Sequence, residues 1–479
     1  MINETPNLVT GIHFSKDSKF YYKYIYEKNQ IQMEKSPLED PIEIFEDERI
    51  PLWLLRHSVG KEGKEENLER ILITPKDNYL HFIERGSMLY GAMLDSTTIR
   101  NLDYRGIKLD TAPDEYCHAV GPIHAGIIEP GHFRFIVRGE EIQNLTIRLG
   151  FQKRNILQKL QGLQIRKAFP IVESISGDSS VAYASALAEI IEKSSSIPVP
   201  SSVLFLRAVL LELERIAIHI GDIGAIGGDI GYYPILGLCS TDRGVPLGFM
   251  ELLTGSRFGR GAIQAGNIFL NKHIQLSDLK QASTNLQKAF QRIESQFIRI
   301  HKNSTIRERT YQCGEITQEM VTKNGFVGMP AKCTGINLDL RNSNPLYSQK
   351  KPLSLELNSE EMNGDVWARW YLRYWELKNS VQWVTSVIEE AYSDFINTQV
   401  PKYDFSFKEG MHFSAVEGWR GPVLVSMELD NKGIIQDSYI RDPSVLNWHA
   451  LEIAVRGELI GDFPLNNKSF NLSYVGFDL

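Results

Sequence analysis

Four cysteines occur in the 479 residues, Cys117, Cys239, Cys313 and Cys333, and no two of them stand at metal-binding spacing. A zinc ribbon, a redox Cys-x-x-Cys and a disulfide scaffold are therefore not expected, and reduced thiols point to a reducing compartment. An excess of basic charge is also missing: 52 Lys and Arg face 59 Asp and Glu, a formal net charge of −7. Nucleic acid is accordingly not an expected partner, since phosphate recognition needs a basic face. No stretch reaches the roughly 18 uninterrupted apolar residues of a membrane span. The most apolar segment, Val203–Ile220, is broken by Arg207, Glu212, Glu214 and Arg215. The first residues, Met1-Ile2-Asn3-Glu4-Thr5-Pro6, lack the charged-then-apolar order of a signal peptide. Internal repeats and low-complexity tracts are absent as well.

What is present suits a large globular protein. Hydrophobic residues make up 42% and charged residues 23%, enough for a sizeable core and two domains. Residues 1–112 read as a small α/β domain. Lys19–Tyr26 is aromatic and β-prone, Asn29 and Gln30 mark a turn, and the charged run Lys61–Arg70 reads as a solvated helix or loop. Residues 113–479 read as a mainly helical domain, so the expected class is α+β. Phe133–Val137 and Leu145–Leu149 form a hairpin turning near Arg138–Glu141. Phe151–Gly162 looks helical. Ser201 and Ser202 are expected to cap a helix that buries Val203, Leu206, Leu210, Leu213, Ala217 and Ile220 and ends in the glycines of 221–229. Those glycines follow a helix, whereas a dinucleotide loop follows a strand, so they read as close packing or an irregular turn. Long helices are expected over 275–303 and 364–397. The stripe Trp367, Trp370, Tyr371, Tyr374 and Trp375 on the latter reads as core or interface. Gly325–Arg341 is turn-rich and returns to the centre, and 411–440 reads as a hairpin turning at Asn431–Gly433.

Two short stretches carry the chemistry by what they withhold. Glu173–Tyr183 sets Ser176 and Ser179 three apart across Gly177, at the start of a helix. Arg441–Asn447 sets Ser444 and Asn447 at the same spacing. Cysteines at those four positions would form two Cys-x-x-Cys pairs able to clamp a soft metal. A hydroxyl or an amide is a poor substitute.

From about residue 119 onward the chain resembles the large subunit of the energy-converting, formate-hydrogenlyase-type [NiFe] hydrogenases and the 49-kDa subunit of respiratory complex I. The resemblance rests on Gly121–Phe135, Glu173–Tyr183, Leu211–Asp229, Gly325–Arg341, Gly364–Ser380, Glu417–Gly421 and Arg441–Leu479, seven stretches in the family's order. Residues 1–112 occupy the place of the 30-kDa complex I subunit. The resemblance implies four cysteine ligands where this chain has Ser176, Ser179, Ser444 and Asn447. It also implies a histidine where Tyr183 stands. The family's His-Arg-Gly-x-Glu is Lys153-Arg154-Asn155-Ile156-Leu157 here, and its Gly-Pro-x-x-Arg is Gly328-Met329-Pro330-Ala331-Lys332. The chain also ends at Leu479 without the cleavable tail of the metal-loaded relatives. The expectation is a nickel-free large subunit, peripheral on the cytoplasmic face of the cell membrane, with no metal of its own. Its implied partners are an iron–sulfur small subunit holding a [4Fe–4S] cluster, a ferredoxin-like subunit and antiporter-like membrane subunits. A quinone is the implied acceptor. The alternatives are a non-redox assembly subunit and an active hydrogenase with unusual ligands.

The candidate site residues follow. His124 either donates to a quinone carbonyl or is hydrogen-bonded within a tight loop, and His132 reads as structural. Asp178 is a helix cap or a proton relay. Tyr183 donates its phenol to a carbonyl or fills vacated volume. Arg154 and Lys332 supply cavity charge or make surface salt bridges. Glu212, Arg215 and His219 share a helix face and form a buried ion-pair network or a proton path.

Overall fold

The computed structural model describes residues 8–14, 20–27, 29–37, 114–124, 129–352 and 359–479, together with the backbone of three strands between 71 and 93. In the N-terminal region the described elements are all strands. β1 (Leu8–Phe14), β2 (Phe20–Glu27) and β3 (Gln30–Pro37) form one antiparallel sheet, turning at Asn29 with φ of 61°. β4 (Ile71–Ile73), β5 (Leu80–Glu84) and β6 (Leu89–Met93) form another. The run Lys61–Arg70 lies outside the described residues. The first sheet packs on the body of the protein: Tyr24 stacks on Tyr439 with ring centroids 5.5 Å apart, and Asn29 accepts from the Asp339 backbone N–H at 3.2 Å.

The expected hairpin forms, but within three strands: β7 (Glu115–Val120), β8 (His132–Arg138) and β9 (Glu141–Arg148). The helix expected over Phe151–Gly162 shrinks to Ile156–Leu160. Its first half is held open because the Asp478 carboxylate takes the N–H groups of Gly150 and Gln152 at 2.7 and 2.8 Å, and Asn155 is left-handed at φ 54°.

Helices make the rest of the core. α1 spans Ser180–Ser195 and α2 spans Ser201–Asp229. α2 runs straight through its glycines instead of ending at them. They allow close packing: a Cβ on Gly227 would lie 2.1 Å from Ile235, and one on Gly224 2.6 Å from Cys239. Nor does Ser201 or Ser202 cap α2; the cap residue is Pro200, and the Ser202 hydroxyl donates to Thr398. A two-strand ribbon, β10 (Ile263–Gln264) and β11 (Asn267–Ile268), precedes α3 (Leu276–His301). α3 buries Leu279, Leu286, Phe290, Ile293, Phe297 and Ile300 along one stripe, each large side chain contributing about 1.5–3 kcal/mol. α4 (Val366–Ile396) lies against α2 and α3. Its aromatic stripe is core, with Phe297 and Tyr374 stacked at 4.4 Å.

The region read as one hairpin over 411–440 is a three-stranded sheet, β12 (Gly410–Gly418), β13 (Gly421–Leu429) and β14 (Ile435–Arg441). The extra reversal is the two-residue turn Trp419-Arg420. It seats against Gly328, whose φ is 61° and whose Cβ, if present, would lie 2.0 Å from the Arg420 carbonyl oxygen. α5 (Pro443–Ala454) follows, with Asp442 as its cap.

A buried ionic cluster ties these elements together. Lys332 reaches Asp339 at 2.8 Å, Glu417 at 2.9 Å and Glu376 at 3.1 Å. Arg341 pairs with Asp339 and Glu212, and Arg215 with Glu212 and Glu376. His219 Nε2 is 2.8 Å from Glu376, while the Tyr347 and Ser380 hydroxyls donate to Glu212. Glu212, Arg215 and His219 thus belong to a buried network, and Lys332 is its central cation, far from a surface salt bridge. In this cluster three permanent cations face four carboxylates. Burial pushes the Glu417 carboxyl up against the pull of Lys332. Removing one partner strands the others: Lys332→Met should destabilise the full chain by about 3–5 kcal/mol, read as a lower urea midpoint with an unchanged slope.

Candidate functional site

The loop ahead of α1 is held from both sides. Arg154 donates to the carbonyl oxygens of Ser174 and Ile175, both at 2.7 Å. Glu173 accepts from the Gly261 N–H at 2.9 Å, and the Ser180 hydroxyl donates back to the Glu173 carbonyl. A pocket of about 720 Å³, lined by Arg166, Lys167, Glu173 and Gln264 among others, opens beside this loop. The start of α1 is not capped by Asp178. Glu214, reaching across from α2, takes the N–H groups of Val181 and Ala182 at 2.7 and 3.3 Å.

Asp178 is free of that task and pairs with Arg420, whose two terminal nitrogens each lie 2.8 Å from a carboxylate oxygen. Ser176 and Ser179 donate to the same carboxylate at 2.7 and 3.3 Å. Trp419 donates to the Asp178 carbonyl, and the Arg420 guanidinium lies over the Trp419 ring at 3.9 Å. Burial alone would raise the Asp178 carboxyl, but Arg420 and the two serines outweigh it and hold it below the usual range. Its side chain keeps 29% of its surface open against 7% for Arg420, so Asp178 is the reachable member of the pair.

The second stretch closes on the first. Tyr183 donates to Asp442 at 2.7 Å, and burial followed by Asp442 pushes its phenol well above the ordinary value. Ser444 accepts from the Ser473 N–H at 2.8 Å, and the Ser473 hydroxyl is 3.3 Å from that of Ser176. Asn447 points elsewhere, exchanging two hydrogen bonds with the Val327 backbone. The hydroxyl that meets Ser176 across the site is therefore that of Ser473, which also accepts from the Gly476 N–H at 2.9 Å.

Other candidates fall at the margin. His124 lies edge-on to Phe133 at 5.4 Å, and burial lowers its imidazole below the ordinary value. His132 faces the Gly121 carbonyl at 3.1 Å, a structural role. Lys332 is spent in the ionic cluster and Arg154 on backbone carbonyls, so neither is a free cavity charge. Sequence reasoning passed over Glu129, Arg420, Ser473 and Glu214. Burial raises the Glu129 carboxyl and Asp178 adds to this, while the Val475 and Tyr474 backbone N–H groups and Arg420 pull it back. The signals are slight: Glu129 and Arg420 stand within stretches that carry the resemblance, each beside a Gly or Pro.

The sequence model of the family described as respiratory-chain NADH dehydrogenase, 49 Kd subunit, matches residues 229–412. An NADH-quinone oxidoreductase subunit from Desulfotalea psychrophila is 24% identical over 73% of this chain and 93% of its own. Membrane-bound hydrogenase subunit alpha of Pyrococcus furiosus is 27% identical over 58% of this chain and 66% of its own. Formate hydrogenlyase subunit 5 of Escherichia coli is 24% identical over 85% and 70%. The chain is thus similar to the complex I 49-kDa subunit and to large subunits of membrane-bound hydrogenases. A chain from the membrane-bound sulfane sulfur reductase, an archaeal respiratory membrane complex, shares the fold with a TM-score of 0.68 at 18% identity, covering 76% of this chain and 99% of that one. Among the described residues no helix is long and apolar enough to cross a membrane.

The donor set here does not fit a thiolate-held nickel–iron centre. Hydroxyls and an amide occupy the paired positions and are engaged by protein hydrogen bonds. Cys239, Cys313 and Cys333 lie elsewhere, and burial pushes their thiols up to about 12, 11 and 11, so they stay protonated. Cys313, Glu458 and Asp462 approach one another, but Glu458 is bound to the Gly314 N–H and Asp462 to Arg309.

Burial pushes the Glu214 carboxyl up to about 8 despite its two N–H donors. The folded chain then keeps a proton that the unfolded chain, with an ordinary value near ~4.3, releases. Stability attributable to Glu214 is therefore greatest at low pH and falls as pH rises through that window. Glu214→Gln should gain on the parent in urea midpoint from pH 5 to pH 8; parallel curves would contradict the assignment.

Proposed function

We propose that this chain is a nickel-free large subunit of a membrane-associated, complex-I-like assembly. In this reading it stands beside a partner subunit's [4Fe–4S] cluster and passes electrons to a quinone or another acceptor, coupling the transfer to ion movement in antiporter-like membrane subunits. A ferredoxin-like subunit completes the electron route. The carrying observation is that a hydrogen-bonded set, Ser176, Ser179, Asp178 and Arg420 against Ser444 and Ser473, stands where the resemblance implies soft ligands, on a scaffold that is otherwise kept. The opposed hydroxyls favour Ser473 and Gly476, rather than Ser444 and Asn447, as the second vacated pair. Both Ser176-x-x-Ser179 and Ser473-x-x-Gly476 lead into helical turns, and they meet hydroxyl to hydroxyl.

The residues themselves are suited to moving protons rather than binding a metal. Asp178, held below the usual range by Arg420, presents the reachable carboxylate of the pair. Glu129, raised by burial, is a carboxyl able to give and retake a proton there. Tyr183 offers a phenol that only Asp442 now occupies. His124, its imidazole lowered by burial, offers a donor for an acceptor carbonyl.

The second reading is an assembly subunit without turnover. It is favoured by the complete engagement of Ser444 and Asn447 in protein hydrogen bonds, which leaves them nothing to offer a substrate.

The test is the complex purified through this chain, with nickel and iron measured together and reduction of a soluble quinone assayed. Iron without nickel, with quinone reduction that falls about 100-fold in Glu129→Gln and drops in His124→Ala and Tyr183→Phe, is the expected result. One nickel per chain would overturn it. A complex that reduces no acceptor, yet disassembles without this chain, would establish the second reading.

A further inference from the structure

Arg441, the last residue of β14, has no exposed surface, and none of its three guanidinium nitrogens has a hydrogen-bond partner among the described residues. The other buried arginines of the core differ. Arg207, Arg215, Arg341, Arg369, Arg373 and Arg420 each donate to carboxylates, carbonyls or hydroxyls of the protein. An ionised guanidinium kept from water and left unpaired is unfavourable by several kcal/mol. Arginine gives up its proton less readily than any other cation. Burial does lower Arg441, but only to about 10, so the cation persists at neutral pH and its N–H groups require acceptors.

The described residues supply none. Asp442, the adjacent carboxylate, is turned onto the Ser444 N–H and the Tyr183 hydroxyl. The electrostatic neighbours of Arg441 are Tyr439, Asp442, Tyr24 and Tyr183. Tyr24 and Tyr439 are stacked on each other nearly parallel, at 9°, so the electrostatic surroundings are phenols with a single carboxylate already engaged. The N-terminus of α5, a 12-residue helix, begins two residues on and adds a positive end to the same neighbourhood.

We infer that Arg441 is the seat of a small planar oxyanion, a carboxylate or bicarbonate, bound between the N-terminal sheet and the β12–β14 sheet. A planar guanidinium presents paired N–H donors that match the two oxygens of such a group, and beside a residue with no exposed surface a small planar group asks less room than a tetrahedral one. Because Tyr183 and Asp442 also belong to the candidate site, the anion would lie behind that site and set its charge. This placement deepens the proposed function and rests on it only for its purpose. The binding itself stands on Arg441 alone.

The test is thermal, so that its failure is distinguishable from failure of the redox reading. The purified complex is exchanged into chloride buffer and titrated with acetate, bicarbonate or sulfate at constant ionic strength and pH. Acetate or bicarbonate should raise Tm saturably, by about 2–4 °C at high excess, and sulfate should not. Response to acetate alone identifies an organic carboxylate; response to bicarbonate alone identifies the inorganic ion. Arg441→Met should abolish the response while raising Tm in chloride, because the unpaired buried charge is gone. Arg441→Lys should keep the charge but blunt the response, lacking the paired donors. A flat titration of the parent, or an equal response in parent and Arg441→Met, would overturn the inference even if quinone reduction proceeds as expected. Persistent quinone inactivity beside a clear Arg441-dependent shift would leave the anion seat standing and remove the redox reading.

Discussion

Lys332 holds the molecule together through charge that water never reaches. Its ammonium meets Asp339, Glu376 and Glu417, which come from a turn-rich segment, a long helix and a strand. Arg215 and Arg341 extend the cluster to α2 and its Glu212. A buried ion cluster is weak evidence of net stability, because the same volume filled with apolar side chains often does as well. Its effect here is geometric: carboxylates that require partners at hydrogen-bond distance fix α2, α4 and the end of β12 in one mutual register. Alternative packings of the same helices would leave a charge unpaired.

That register places the candidate site. Glu417 belongs to the ionic cluster, and three residues later, across the Trp419-Arg420 turn, Arg420 belongs to the site. Arg215 donates to the Glu417 carbonyl at 3.0 Å, and His219 lies edge-on to Trp419 at 6.3 Å. The strand end is therefore anchored immediately before it presents Arg420 to Asp178. Glu214, on the same helix as Glu212 and Arg215, holds the first turn of α1. The candidate site and the ionic core are thus two faces of one construction, and a change of charge in either is felt through the same short stretch of β12.

Much of the fold was legible in the pattern of side chains. The long helices over 276–301 and 366–396 show in their apolar spacing, and the β8–β9 hairpin in its alternation. The misreadings share a cause, since each was decided by a contact distant in sequence. The glycines of α2 looked like a terminus, but neighbouring Ile235 and Cys239 use them for close approach. The helix over Phe151–Gly162 lost its first half to the carboxylate of Asp478, more than three hundred residues away. The sheet of 410–441 hid a tight reversal because Gly418 and Gly421 flank it within an otherwise strand-like run.

For the site, the sequence by itself determined the chemistry that is excluded. Serine, asparagine and tyrosine at the motif positions cannot act as thiolate ligands wherever the chain folds them, because ligand softness is a property of the atom. The family likeness was likewise readable from residue type and spacing, as was the shared helix face of Glu212, Arg215 and His219, which suited a buried ion-pair network or a proton path. Only the tertiary structure decided who pairs with whom. It gave Asp178 to Arg420 instead of to a helix end, set Ser473 rather than Asn447 opposite Ser176, brought Glu129 within electrostatic reach of Asp178 and Arg420, and left Arg441 without a partner among the described residues. Hydrogen bonds and ion pairs act over about 3 Å, and which groups come within that distance is settled by packing among elements far apart in the chain.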